Sequence, residues 1–327
     1  MEKHIIIDIM GGDYAPSEIL KGIQIAEKET EGVKFVLVGD MTKAKPYLWE
    51  SDNLIFHDIK HEKEDEYKIK RKSVTSISEG IELTKKYNNS VFLSAANTGK
   101  VVAEAFLRLG RVKGVERPAI AVILPGIKSP TVLLDVGANS DCRVGHMEHF
   151  AVLGSVYAEL LLEKAKPRIG LLNIGSEKSK GNKFYGDVYE KFSNNEQINF
   201  AGNIEPNTLV LEDEADVVVC DGFTGNIVLK SMEGISYLAL GAMLQSKIPV
   251  EYVEKLKAKL DYQEYGGAML LGVNGQVVIT HGVSKAKAIS SAIKFASVLA
   301  QNKMLDKVKI RIDEFNNKKS NCNNEEE

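Results

Sequence analysis

Short aliphatic runs that end at a glycine with an asparagine or aspartate beside it constrain this chain more than any other feature. The first is Ile5-Ile6-Ile7-Asp8-Ile9-Met10-Gly11-Gly12-Asp13. Others close on Ser94-Ala95-Ala96-Asn97-Thr98-Gly99, on Leu134-Asp135-Val136-Gly137-Ala138-Asn139 and on Cys220-Asp221-Gly222-Phe223-Thr224-Gly225-Asn226. A strand that is apolar at nearly every position is buried on both faces, which is the pattern of parallel sheets covered by helices. Strands are expected over 3–9, 34–38, 53–56, 90–94, 120–124 and 131–136, with helices over 17–30, 73–87 and 98–109 among them. Beyond the midpoint, strands at 168–174, 198–201, 217–220 and 277–280 alternate with helices at 146–165, 182–193, 226–244, 250–260 and 284–305. The alternation predicts an α/β protein with a largely parallel sheet. No internal repeat is visible. Residues 1–315 are expected to form a single catalytic domain, with a helical interface or tip segment at about 227–262. The polar stretch 316–327 lacks apolar periodicity and is expected to be a disordered tail.

Charge narrows the partners. Forty-two Lys and Arg against 45 Asp and Glu give a net charge of −3, which argues against a general nucleic-acid binder. Cys142, Cys220 and Cys322 are odd in number and far apart, so the expectation is a reducing, cytoplasmic setting without a disulfide framework. Asp8 interrupts the first apolar run, unlike the core of a signal peptide. No run reaches the ~18 uninterrupted apolar residues of a membrane span, so a soluble protein is expected, with peripheral membrane association left open.

The strand-end loops are the candidate binding elements. Glycine lets a ligand approach the backbone, and Asn or Asp orients polar groups there. Thr98-Gly99 and Thr224-Gly225-Asn226 precede expected helices, whose free N–H groups favour an anion. Each loop alone is equally readable as an ordinary strand-to-helix turn; four in one chain favour a shared site. The spaced-glycine dinucleotide fingerprint and the P-loop are both missing, as is a Gly-x-Ser-x-Gly nucleophile elbow. The loop Gly175-Ser176-Glu177-Lys178-Ser179-Lys180-Gly181-Asn182 places Lys180 between a strand end and a helix start, where a cation meets an anionic ligand or is merely solvated. Cys142, His146 and His149 have metal-like spacing but no fourth ligand cluster, so no metal is expected. His281-Gly282 follows the 277–280 strand, as a ligand-binding imidazole or a turn residue. Basic clusters at Lys68-Ile69-Lys70-Arg71-Lys72 and at Arg108, Arg111, Lys113 and Arg117 read as solvated faces or as docking patches for an acidic partner. The helices around Pro249 carry Tyr237, Leu238, Leu240, Met243, Leu244, Tyr252 and Val253, suited to packing, an acyl pocket or a membrane surface.

Taken in order, these segments resemble the phosphate acyltransferases of bacterial phospholipid synthesis (the PlsX family). The resemblance rests on Asp8-Ile9-Met10-Gly11-Gly12-Asp13, Asn97-Thr98-Gly99, Glu116-Arg117-Pro118-Ala119, Asp135-Val136-Gly137-Ala138-Asn139, Leu172-Asn173-Ile174-Gly175, Asp221-Gly222-Phe223-Thr224-Gly225-Asn226 and Tyr265-Gly266-Gly267-Ala268. It departs at Ala96, Ser140 and His149, where glycine, valine and glutamine are common, and in a shorter segment between Leu244 and Tyr265. It implies a three-layer α/β/α fold related to isocitrate dehydrogenase and phosphotransacetylase, a homodimer, and no metal or nucleotide cofactor. The implied reaction moves an acyl group from acyl carrier protein to inorganic phosphate, and the acyl phosphate then feeds a membrane glycerol-3-phosphate acyltransferase.

On that chemistry Lys180 is expected to neutralise phosphate or the developing oxyanion, and Asn226 with the Thr224 and Gly225 amides to hold phosphate or the thioester carbonyl. Asp8, Gly11, Gly12, Asn97, Thr98, Gly99, Asp135, Asn139, Asp221 and His281 are expected to form the substrate pocket. Whether Gly11 and Gly12 contact substrate or only shape the turn stays open. Arg108, Arg111 and Lys113 are the candidate docking cations for the acidic carrier. Two other readings are an isocitrate-type NAD(P)-dependent dehydrogenase and a non-catalytic, membrane-recruited scaffold for lipid enzymes.

Overall fold

The computed structural model describes residues 2–59, 74–260 and 266–325. The first half runs β1 (Lys3–Asp8), α1 (Ser17–Glu27), β2 (Val33–Gly39), α2 (Met41–Ala44), β3 (Leu54–Asp58), α3 (Ser76–Leu83), β4 (Ser90–Ser94), α4 (Thr98–Leu109), β5 (Ala119–Leu124) and β6 (Thr131–Leu134). It continues with α5 (Val144–Leu161), β7 (Ile169–Leu172), α6 (Lys183–Ser193), β8 (Phe200–Ile204), α7 (Thr208–Leu211), β9 (Val217–Val219) and α8 (Gly222–Gln245). The last elements are α9 (Val250–Leu260), β10 (Ala268–Leu271), β11 (Val277–Ile279), α10 (Ala286–Gln301) and α11 (Met304–Glu325). Where one domain was expected, the packing resolves two compact units, Met1–Arg111 with Gln263–Leu305, and Val112–Tyr262 with Asp306–Glu327. Both are α/β.

In the first unit the strand order is β3-β2-β1-β4-β11-β10, parallel except for β10 against β11. Ile5, Ile6 and Ile7 are buried at the centre of this sheet, in register with Phe35, Val36 and Leu37 on one side and Val91, Phe92 and Leu93 on the other. Helix α1 buries Ile19, Leu20, Ile23 and Ala26, a helical stripe, and packs on α10. Gly22 permits that approach, because a Cβ there would stand 2.6 Å from Cβ of Ile289.

The second unit has the order β5-β6-β9-β7-β8, parallel except for β5 against β6. Helix α5 is apolar around most of its circumference and lies against β6 and β9, where a Cβ on Gly154 would meet Val217 Cγ1 at 2.5 Å. Helix α11 buries Val308, Ile312 and Phe315 at helical spacing, and Asn316 donates to the Gly114 carbonyl at 3.2 Å. The helix then continues through the polar segment expected to be disordered, as far as Glu325. Other differences are smaller: β8 lies at Phe200–Ile204 instead of 198–201, and β10 was not foreseen. Helix α3 is shorter than the 73–87 expectation because a Thr75–Ser78 capping box starts it. The run Lys68-Ile69-Lys70-Arg71-Lys72 lies outside the described residues.

A charged knot ties β7 to the segment before β9. Arg168 donates to Asp216 Oδ2 from its main-chain N at 2.8 Å and from Nε at 3.1 Å, and Lys164 stands 3.1 Å from Asp216 Oδ1. Burial pushes the Asp216 carboxyl upward, but the Arg168 side-chain and main-chain bonds prevail and hold it at about 2. A depressed carboxylate contributes stability above its unfolded value near 4, and loses it as pH falls through its folded value. The stability gap between the parent protein and an Asp216→Asn variant should therefore be full at pH 6 and close between about pH 4 and pH 2. Urea midpoints measured across that range test it; a gap that stays constant would remove the ionised carboxylate as its source.

Candidate active site

The second unit contains Lys180 and Asn226, and a buried aspartate organises the loop beside the start of α8. Asp135, at the end of β6, is fully buried. Its Oδ1 accepts from the main-chain N–H groups of Ile120 (3.0 Å), Gly137 (3.1 Å) and Ala138 (2.9 Å). Its Oδ2 accepts from the Asn139 main-chain N and from Asn139 Nδ2, both at 2.8 Å. Burial pushes this carboxyl above the ordinary range while the amides pull the other way. Asn139 Nδ2 also donates to the Pro118 carbonyl at 2.7 Å. Asp135 and Asn139 thus spend their polar groups in building the β6–α5 loop.

Helix α8 begins against this loop. Gly222 N–H donates to the Asn139 carbonyl at 2.8 Å. A Cβ on Gly222 would lie 2.6 Å from that carbonyl oxygen and 2.8 Å from Asp135 Oδ2. Asp221 is the N-cap: Oδ1 accepts from Thr224 N–H at 2.9 Å, Oδ2 from the Thr224 hydroxyl at 2.7 Å, and its carbonyl from Gly225 N–H at 2.9 Å. The Thr224 and Gly225 amides, expected to face an anion, are therefore committed to the cap. This also moves the helix start from the expected 226 to Gly222. Asn226 follows them, exposed, with its amide about 3.8 Å from where a Cβ on Gly137 would be.

Lys180 lies on the loop after β7, and two buried asparagines fix its backbone. Asn173 Nδ2 donates to the Lys180 carbonyl and to Asn203 Oδ1, both at 3.1 Å. Asn203 Nδ2 donates to the Glu177 carbonyl at 2.9 Å. Gly181 has φ +93°, and a Cβ there would meet Asn173 Oδ1 at 2.7 Å. Asn182 then caps α6 by accepting from Tyr185 N–H at 3.1 Å. The backbone is pinned and the Lys180 ammonium is exposed, 3.9 Å from the Glu177 carboxylate. The fixed backbone sets where the Lys180 side chain starts, and its ammonium is open to an anion from solution.

Other polar groups of this unit are engaged elsewhere. Burial, then the Asp135 and Asp221 charges, push the Cys142 thiol up to about 12, so it is no thiolate at neutral pH. His146 Nδ1 accepts from Arg143 N–H at 3.1 Å and Nε2 stands 3.1 Å from Glu116; His149 Nε2 is 3.4 Å from Asn316 Oδ1. Lys113 is exposed.

In the first unit Asp8 plays the part that Asp135 plays in the second. It is buried at the end of β1, with Oδ2 accepting from the Ser94 hydroxyl at 2.7 Å and Oδ1 from Met10 N–H at 3.0 Å. Burial raises its carboxyl, against hydrogen bonds from Ser76 and Ser94. A Cβ on Gly11 would lie 2.5 Å from Asp8 Oδ2 and 2.8 Å from Ala96 N. Gly12 has φ +100°, and a Cβ there would meet the Gly282 carbonyl at 3.0 Å. The glycine pair is packed against the chain's own backbone, which accounts for its shape. Asn97 caps α4 by accepting from Lys100 N–H at 3.2 Å, leaving Asn97, Thr98 and Gly99 exposed. His281 Nδ1 accepts from Val283 N–H at 3.3 Å, as in a turn. Arg108, expected as a docking cation, is bound by Glu104 at 2.6 Å with Glu82 at 3.9 Å, and Arg111 lies over Phe106.

Sequence reasoning missed Asn203, and it missed Tyr185, whose hydroxyl donates to Asp221 Oδ2 at 2.6 Å. Asn173 entered only as part of a motif. Nothing local marks these residues, since their partners are 30 and 36 positions distant. In the folded chain Tyr185 shares the buried face of α6 with Val188 and Phe192.

Units of this kind have the α/β fold of solved phosphotransacylases. A branched-chain phosphotransacylase from Enterococcus faecalis has a TM-score of 0.62 at 15% identity, over 92% of this chain and 99% of that one. A phosphotransacetylase from Streptococcus pyogenes has a TM-score of 0.60 at 15% identity, over 91% and 94%. The sequence is more specific. The family model described as "Fatty acid synthesis protein" matches residues 3–307, and the chain belongs to that family. Phosphate acyltransferases from Thermoanaerobacterium thermosaccharolyticum and Caldanaerobacter subterraneus are 39% and 41% identical, over 94% of this chain and 96% and 97% of theirs.

Proposed function

We propose that this chain transfers a fatty acyl group from acyl carrier protein to inorganic phosphate, giving acyl phosphate for phospholipid synthesis. The observation that carries the proposal is the 39–41% identity to phosphate acyltransferases over 94% of the chain. That likeness also favours it over a dehydrogenase or a scaffold. A phosphate oxygen attacks the thioester carbonyl carbon, forming a tetrahedral oxyanion. Collapse breaks the C–S bond and releases the carrier thiolate, leaving acyl phosphate. Phosphate near neutral pH is already nucleophilic, and a thiol of pKa near ~8.5 is a good leaving group, so neither a nucleophilic side chain nor a strong acid is needed.

Lys180 supplies positive charge for the phosphate or oxyanion, and Asn226 donates its amide to the same group. With the Thr224 and Gly225 amides used in the cap, their share falls to these two side chains and to the positive end of α8. Asp135, Asn139, Asp221 and Thr224 hold the frame; Asp8, Gly11 and Gly12 do the same in the first unit. Within the first unit, Asn97, Thr98, Gly99 and His281 are the candidates for substrate contact.

Helices α8 and α9 expose Phe223, Ile227, Ile235, Tyr237, Leu238, Leu244, Val250 and Tyr252. By length and composition α8 is sufficient to cross a membrane, with a mean hydropathy of 1.4 and 11% of that window buried. Lys230 and Glu233 within it, joined at 2.8 Å, favour a surface that associates over one that spans. We assign this face to a homodimer in the cytoplasm that touches the membrane peripherally, where its product passes to a glycerol-3-phosphate acyltransferase. Arg111 and Lys113 remain candidates for the acidic carrier.

The test is to incubate the protein with long-chain acyl carrier protein and phosphate and trap the product with hydroxylamine. Acyl hydroxamate above the level that the thioester donor itself gives should appear only when the protein and both substrates are present. Its absence with saturating donor and phosphate would refute the proposed reaction.

A further inference from the structure

We infer that Tyr185 is a positioning residue, which locks the Lys180 loop to the amino end of α8 through the Asp221 carboxylate. Its consequence for turnover rests on the reaction proposed above; its structural content does not.

Tyr185 lies five positions after Lys180, in the first turn of α6, and its main-chain N–H is held by the Asn182 cap. Any motion of that turn is felt at Lys180 through Gly181 and Asn182. The phenol reaches away from the loop and donates to Asp221 Oδ2 at 2.6 Å. The same Oδ2 accepts the Thr224 hydroxyl at 2.7 Å, and Thr224 also hydrogen-bonds with the Tyr185 side chain. Tyr185 and Asp221 are 8% and 9% exposed, so water does not readily replace either partner. Burial, with the Asp221 carboxylate beside it, pushes the phenol above its ordinary range and keeps it a donor. Asp221 meanwhile orients Thr224, and Asn226 stands two residues further on the same turn. One hydroxyl thus joins the segment that presents the cation to the segment that presents the amide. Core packing alone does not call for it, because the ring already packs edge-on against Phe184, with centroids 5.4 Å apart.

Tyr185→Phe removes the hydroxyl and keeps the ring. Amide hydrogen exchange should quicken about tenfold at residues 222–226 and in the loop before α6, the factor that accompanies loss of a hydrogen bond to a charged group. Exchange in α5 should not change. In turnover, the Michaelis constant for phosphate should rise about five- to tenfold, while that for the acyl carrier stays within twofold. Exchange that is unchanged at 222–226, or that quickens throughout the unit, would overturn the inference, the latter by making Tyr185 a packing residue. Altered carrier dependence with unaltered phosphate dependence would overturn it as well. If the parent protein forms no acyl phosphate while local exchange responds as expected, the coupling stands and the proposed reaction fails.

Discussion

A Gly225→Ala variant is expected to melt about 2–12 °C below the parent protein and to lose most of its turnover. The new methyl would fall far inside van der Waals contact with the Asp135 carbonyl oxygen and 2.8 Å from Cys220 Sγ. Neither neighbour can retreat. Asp135 donates its N–H to the Cys220 carbonyl at 3.1 Å, accepts the Cys220 thiol on its own carbonyl at 3.3 Å, and has its carboxylate held by five donors. Overpacking a rigid site costs about 1–3 kcal/mol and sometimes more, at about 2–4 °C per kcal/mol for larger domains. Relief requires α8 to move off the β6–α5 loop, which carries Asn226 away with it. Gly186 is the control, because a Cβ there meets nothing within 4 Å and alanine suits the middle of a helix. Thermal melts and acyl-phosphate assays on the two variants decide the matter. Equal behaviour would mean that the contact with Asp135 is not what requires glycine.

Lys180→Ala should lower turnover by a factor of about 100 to 1000, the range found when one donor to a developing oxyanion is removed. The melting temperature should hardly change. The ammonium is exposed, the Glu177 carboxylate stands 3.9 Å from it, and the loop is fixed through the Lys180 carbonyl, which alanine keeps. This separation of stability from rate distinguishes Lys180 from Gly225, where both fall together. Lys180→Arg should restore only part of the activity, since a planar guanidinium places its charge differently from a compact ammonium. Near-normal turnover by a folded Lys180→Ala protein would remove this residue from the mechanism.

Much of the fold was readable from the chain because parallel strands buried on both faces are apolar throughout. Ile5–Ile7 and the Val217–Val219 run announce themselves without their neighbours. Strand β10 did not, because Gly266 and Gly267, both at positive φ, look like a loop and only four residues follow before the chain turns. The strand-end loops were correctly located, but their inner workings were not legible. Asp8 and Asp135 read as groups that shape a substrate pocket, and the internal donors that the folded chain brings to each carboxylate were not visible in the sequence. The commitment of the Thr224 amide to Asp221 was open to view, since an aspartate three residues before a threonine is a common helix cap. The roles of Tyr185 and Asn203 were not, because each depends on a partner that only the folded chain brings near.

The interleaving of the two units has a consequence for how the protein is made. Strand β4 pairs with β1 on one side and with β11 on the other, and Phe92 meets Val277 about 185 residues later in the chain. A ribosome adding roughly 5–20 residues per second leaves that edge of β4 without its strand for on the order of ten to forty seconds. Helix α1 waits longer, since its partner α10 ends at Gln301. During that interval a buried apolar strand, Val91-Phe92-Leu93, presents an open ladder edge, the element most prone to pair with another nascent chain. Aggregation during expression should thus respond to what happens at β4, and a chaperone that shields this edge would raise the soluble yield without altering the finished enzyme.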